Sequence, residues 1–120
     1  MKQKMLIVER TGKMLASNVR SADTWLQRLK GLLGSAELPV DNALWLRPCK
    51  GIHTIGMKYA IDVLFIDSKN RVKKVSTNLP PYRICRAVKG THSVIELPAG
   101  SVQNTEIKRG DKILIQSRNS

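Results

Sequence analysis

The sequence predicts a mainly β domain, a β-sandwich of jelly-roll-like or distorted-barrel type, with one short helix packed against the sheet. Three observations predict it. Short runs of Leu, Ile and Val recur about every ten residues. Gly, Pro or Asn-Asp clusters separate these runs. Only the stretch from Ser21 to Gly34 carries apolar residues at helical steps. The 120 residues form a single domain, 1–120, large enough to bury a core without metal or disulfide staples. With Trp25, Trp45, Tyr59, Tyr82 and Phe65 as its aromatics, that core is aliphatic.

In chain order, Met5 to Val8 reads as a strand, Thr11-Gly12-Lys13 as a turn and Met14 to Val19 as the returning strand. Ser21 offers an N-cap oxygen for the helix, and Asp23 suits its first turn. Trp25, Leu26, Leu29, Leu32 and Leu33 share one face, and Gly31 and Gly34 end it. Leu44 to Leu46 is a short strand closed by Pro48. Ile61 to Ile66 is β-branched and aromatic, and Asp67 to Asn70 makes a turn. Arg71 to Ser76 returns as a hairpin with a bulge, and Pro80-Pro81 ends it. Ile84 to Val88 is short and basic. Ser93 to Leu97 is a strand broken by Pro98-Ala99-Gly100. Ile107, the turn Lys108 to Asp111 and the strand Lys112 to Gln116 complete the domain, and the polar tail Gln116 to Ser120 is expected to fray.

Charge narrows the classes of partner. Lys and Arg number 21 against 9 Asp and Glu, a net +12. Such a field attracts polyanions, acidic proteins or anionic surfaces. The basic residues are scattered, so no targeting tract or basic arm is readable. The start, MKQKMLIVER, lacks the apolar length of a secretion signal, and no segment has the length of a membrane span. A cytoplasmic chain is expected, with Cys49 and Cys85 as thiols.

Chemistry concentrates between Cys49 and Asp67. A thiol, an imidazole, a thioether, an ammonium and two carboxylates lie beside the apolar run of Ile61 to Ile66. Cys49, His53 and Met57 are four apart, a soft donor set. Gly51, Thr54 and Gly56 oppose a helix that would align them, and no close Cys or His pair marks zinc, so no metal and no cofactor are expected. A nucleophilic thiol, Cys49 or Cys85, with His53 or His92 as base would need a depressed thiol pKa. Small buried thiols are the plainer reading. Asp62 and Glu96 each interrupt an apolar strand, where a charge is costly unless paired. Facing one cavity they would bind a ligand or exchange a proton; otherwise they accept backbone hydrogen bonds. No phosphate loop, dinucleotide glycine pattern or zinc-hydrolase motif occurs.

Four ordered pieces add a resemblance: Lys30 to Gly34; Ile52 to Met57 followed by Ile61 to Asp67; Ile95-Glu96-Leu97-Pro98-Ala99-Gly100; and Gly110-Asp111. Over Lys13 to Ile115 the chain resembles the bacterial and archaeal family called domain of unknown function 192. The resemblance implies a compact, mostly β domain of jelly-roll-like or barrel type, with no agreed reaction. The family pattern marks the positions of Met57 and Asp62 and the Glu96 motif without catalytic roles. Many relatives carry Trp before the Met, where this chain has Gly56.

Together these features predict a non-catalytic binding module. Its polar pocket is expected to be walled by Cys49, His53, Thr54, Met57, Lys58, Asp62 and Glu96, and to take a small polar or anionic ligand or an acidic protein partner. One alternative is nucleic-acid or other polyanion binding through Lys73, Lys74, Arg83, Arg86, Lys89, Lys108 and Arg109, though few aromatics accompany them. An enzyme using Cys49 and His53, or Asp62 and Glu96, ranks last.

Overall fold

Side chains alternate across a β-strand, so each apolar run here divides between two sheet faces. A computed structural model describes residues 3–22, 38–47, 51–53, 59–80, 84–86 and 88–118. Ten strands occur among them: β1 (Gln3–Val8), β2 (Met14–Ala16), β3 (Asn18–Ala22), β4 (Asn42–Leu46), β5 (Gly51–His53), β6 (Ile61–Ile66), β7 (Val72–Leu79), β8 (Ile84–Arg86), β9 (Ser93–Pro98) and β10 (Ile113–Arg118). They form a three-stranded sheet, β10-β1-β2, a five-stranded sheet, β3-β4-β9-β6-β7, and a two-stranded ribbon, β5-β8. The chain is mainly β, as its composition predicts.

The main core lies between the two larger sheets. Leu6, Val8, Leu15 and Ile113 from the smaller sheet meet Val19, Ala43, Trp45, Leu64, Ile66, Ile95 and Leu97 from the larger. Trp45 is the large aromatic of this layer, and its indole N–H donates to Ser93 Oγ at 3.1 Å. A buried indole needs such a partner. The opposite face of the five-stranded sheet carries a second buried layer of Leu44, Leu46, Ile61, Val63, Phe65 and Val94, with Tyr59 and Leu79 against it. Phe65 is fully buried there, worth roughly 2–3 kcal/mol by transfer. β6 and β9 are therefore buried on both faces, which explains why they are largely apolar apart from Asp62, Ser93 and Glu96.

Local chemistry sets the joints. The β1–β2 hairpin turns at Gly12, whose φ of 74° favours glycine. At the β6–β7 turn Asp67 Oδ1 accepts the N–H groups of Lys69 (2.8 Å) and Arg71 (2.9 Å), and Asn70 takes a left-handed φ of 63°. The expected bulged hairpin is present, with register shifts between Ile61 and Val63 and between Phe65 and Ile66.

Several expectations are corrected. Met14 to Val19 is not one return strand: the chain bends at Ser17 and passes from the smaller sheet to the larger. Ser21 and Ala22 belong to β3 rather than to a helix start. The rest of the expected helix lies outside the described residues. β3 runs parallel to β4, a pairing that requires a crossover connection and that no local pattern announces. The tail is partly structured, since Gln116, Ser117 and Arg118 pair with Met5, Lys4 and Gln3. Among the described residues the sheets do not close into a barrel; an isolated Arg71–Lys112 bridge is where the β7 edge meets the start of β10.

Candidate functional site

Asp62 is placed by strand alternation and held by two connections. On β6 it lies opposite Leu97 and shares the main-core face with Leu64 and Ile66. Its carboxylate is 1% exposed, so it requires partners. Oδ1 accepts the N–H of Asn78 at 2.8 Å, and Oδ2 accepts the N–H of Val102 at 3.1 Å. Asn78 ends the β7 side with a left-handed φ of 50°. Val102 belongs to a run of tight turns after β9. There Ser101 N–H bonds Pro98 O, Gln103 N–H bonds Gly100 O, and Thr105 N–H bonds Val102 O. The Ser101 and Thr105 hydroxyls donate to Pro98 O and Val102 O, both at 2.6 Å. Asp62 thus ties the hairpin end to this loop.

Beside it opens a cavity of about 560 Å³, within the size range of small-ligand sites. Asp62 lines it together with apolar Val75, Val102 and Ile107 and polar Thr77, Asn78 and Gln103. The three polar residues are exposed. Among the described lining residues Asp62 is the charged one. Sequence reasoning missed Thr77, Asn78, Val102 and Gln103. The signal available was the cluster of small turn formers after Pro98, which reads as a strand break alone.

Glu96 occupies the other face. On β9 it lies opposite Leu44 of β4 and Val63 of β6, residues of the second apolar layer. It too is 1% exposed, yet its Oε2 has no hydrogen-bond partner among the described residues. Burial among aliphatic side chains disfavours the carboxylate and pushes its pKa up to about 8, so the neutral acid prevails at pH 7. The expectation that Asp62 and Glu96 face one cavity is therefore corrected. They sit one register step apart on neighbouring strands, and that single step puts them on opposite faces.

Cys49, Thr54, Met57, Lys58 and Arg83 lie outside the described residues. The backbone places His53 opposite Ile84, Cys85 opposite Ile52 and Arg86 opposite Gly51 in the β5–β8 ribbon. Lys73 and Lys74 lie on β7, Lys89 in the turn before β9, and Lys108 and Arg109 in the turn before β10. Lys74 Nζ stands 5.5 Å from the centre of the Phe65 ring. No group of three or more His, Cys, Asp or Glu able to hold a metal occurs among the described residues. No helix among them is long and apolar enough to cross a membrane. Near the β10 turn, Arg10 Nε donates to Asp111 Oδ1 at 2.9 Å. That bond, helped by the Lys108 N–H, holds the Asp111 carboxyl below its ordinary range.

Comparison with other proteins agrees with this architecture. The chain is 33% identical over 115 residues to a UPF0127 protein of Thermococcus kodakarensis, covering 91% of this chain and 71% of the relative. A UPF0127 protein of Pyrococcus horikoshii is 32% identical over 114 residues, covering 91% and 96%. The crystal structure of a protein of unknown function from Novosphingobium aromaticivorans superimposes with a TM-score of 0.77 at 22% identity, covering 93% of this chain and 83% of that one. A Sinorhizobium meliloti crystal structure gives a TM-score of 0.80 at 22% identity, covering 95% and 92%. These two likenesses concern the fold alone. The model of the family DUF192, described as uncharacterized ACR, matches residues 6–115, and the chain belongs to that family.

Proposed function

We propose that the chain is a non-catalytic binding module whose ligand is a small, uncharged polar molecule seated in the Asp62 cavity. The observation that carries this reading is the lining: a carboxylate held by two backbone N–H groups, apolar side chains, and hydroxyl and amide groups. Apolar walls supply affinity, and a few placed polar groups supply orientation. Thr77, Asn78 and Gln103 suit hydroxyl or amide partners on a ligand. The anionic ligand expected from net charge gains no support at this site, where the charged group among the described lining residues is an acid. Both Asp62 oxygens already hold backbone N–H groups, which favours an anchoring carboxylate over a proton-transfer group.

Thermal-shift and calorimetric screening against sugar, polyol and amide panels tests the proposal. A hit that raises the melting temperature, and that Ala99→Trp abolishes by filling the cavity border, is the expected result. No hit across the panels, or a hit indifferent to Ala99→Trp in a folded variant, overturns it.

A further inference from the structure

The end of the β6–β7 hairpin away from Asp62 is where three turns meet. Backbone hydrogen bonds lock them together. Val72 N–H donates to Asp111 O at 2.8 Å, Gly110 N–H to Val72 O at 2.8 Å, Ile113 N–H to Asn70 O at 2.9 Å, and His92 N–H to Ile66 O at 2.7 Å. The Arg71–Lys112 bridge aligns two cations directly across from each other. Lys73 extends along the third turn, because a Cβ added at Gly90 would meet its Cε at 3.5 Å and its Nζ at 3.7 Å. Lys69, Arg71, Lys89, Arg109 and Lys112 are exposed around this junction, and Lys73 is half-buried.

The acids nearby, Asp67, Asp111, Glu9 and Glu106, offset part of this charge but are outnumbered by Lys69, Arg71, Lys73, Lys89, Arg109 and Lys112. Asp67 accepts the Lys69 and Arg71 N–H groups. Asp111 is committed to Arg10 and the Lys108 N–H. Glu9, whose N–H bonds Lys112 O, and Glu106, whose carbonyl accepts from Arg10, are the exposed carboxylates of this end among the described residues. The remaining cations stand on rigidly joined turns, and screening extends only about 8–10 Å at ordinary salt, so neighbouring cations act together.

We infer that this junction, centred on Arg71, Lys73 and Lys112, binds the phosphate backbone of duplex DNA without reading its sequence. Cations on separate turns joined by backbone hydrogen bonds can meet several phosphates of a stiff duplex together, a target that a flexible acidic peptide does not present. These turns offer His92 but no Phe, Tyr or Trp for base stacking, which disfavours a single-stranded target. The surface is independent of the cavity, so Ala99→Trp leaves it intact.

Fluorescence anisotropy with two unrelated 20-base-pair duplexes tests it, where the probe length is a choice of about two helical turns. Both duplexes should bind alike, with log affinity falling roughly five-fold as steeply as log salt rises if about five or six phosphates are contacted. The triple variant Arg71→Gln, Lys73→Gln, Lys112→Gln should weaken binding by about ten-fold or more at low salt and reduce the slope by about three. The remote pair Lys4→Gln, Arg20→Gln should leave the slope unchanged. Circular dichroism checks that each variant is folded, and Arg71→Lys alone should retain binding. No binding at low salt, equal loss in both variant sets, or equal affinity for poly-glutamate overturns the inference.

Discussion

Asp62 and Glu96 differ by one step of register and share the same near-complete burial, yet their environments are opposite. On the main-core face a turn-rich loop and the end of β7 deliver two N–H groups to Asp62. On the second face, Glu96 has Leu44 and Val63 beside it, and one oxygen has no partner among the described residues. The cost of a buried carboxyl is thus decided by which backbone ends reach its face. Backbone hydrogen bonds satisfy the carboxyl oxygens at one site, and desolvation favours the neutral acid at the other.

Breaking the satisfied side should cost most. Asp62→Ala leaves the Asn78 and Val102 N–H groups without their acceptors and should lower stability by about 4 kcal/mol in urea denaturation. Asp62→Asn keeps one acceptor and should cost less. An unchanged midpoint for Asp62→Ala would erase the distinction between the two faces.

The unsatisfied side predicts a pH signature. Glu96 has a folded pKa of about 8, above its ordinary 4.5. Between those values the folded chain holds a proton that the unfolded chain has lost, so stability falls as pH rises. It is fully present below about 4.5, declines by on the order of 5 kcal/mol, and levels off above about 8. Glu96→Gln should flatten this decline in a series of chemical melts, and Glu96→Leu should raise stability at pH 8. A wild-type profile without the decline would sink the assignment.

Two smaller tests sharpen the contrast. Trp45→Phe removes the indole donor to Ser93 and should cost about 1–2 kcal/mol by equilibrium denaturation. Arg10→Gln should hardly move the neutral melting temperature, since the guanidinium is 44% exposed. Its effect belongs to acid. Asp111 titrates below its ordinary value because of Arg10, so its stabilising share is present above that value and lost as pH falls through the lowered pKa. In Arg10→Gln the Asp111 carboxyl returns toward its ordinary range, so the acid-side loss should be smaller and complete at higher pH.

How much of this was legible follows physical lines. β1, β4, β6, β7 and β9 were readable because their β-branched runs and turn residues act locally. The turn at Asp67 to Asn70 was readable for the same reason: a short polar side chain bonds its own backbone. The change of sheet at Ser17 was not, because bending depends on which partner strands are available. The cavity was half legible. Asp62 stood out as a charge in an apolar run, but Thr77, Val102 and Gln103 have ordinary local sequences and gather only when β7 and the loop after β9 converge. The basic junction was similarly split: Lys73, Lys89 and Arg109 were singled out, whereas Lys69, Arg71 and Lys112 join them through the three-turn contact.

Local residue patterns are enough to specify a mainly β chain, its strongest strands and turns, its excess of positive charge and the two carboxyls that interrupt apolar runs. That these carboxyls part to opposite faces, one gaining donors and the other neutralised, follows from how the strands pair. The reason is that periodicity specifies alternation within a strand, while the register between distant strands fixes which face each residue occupies and what meets it there.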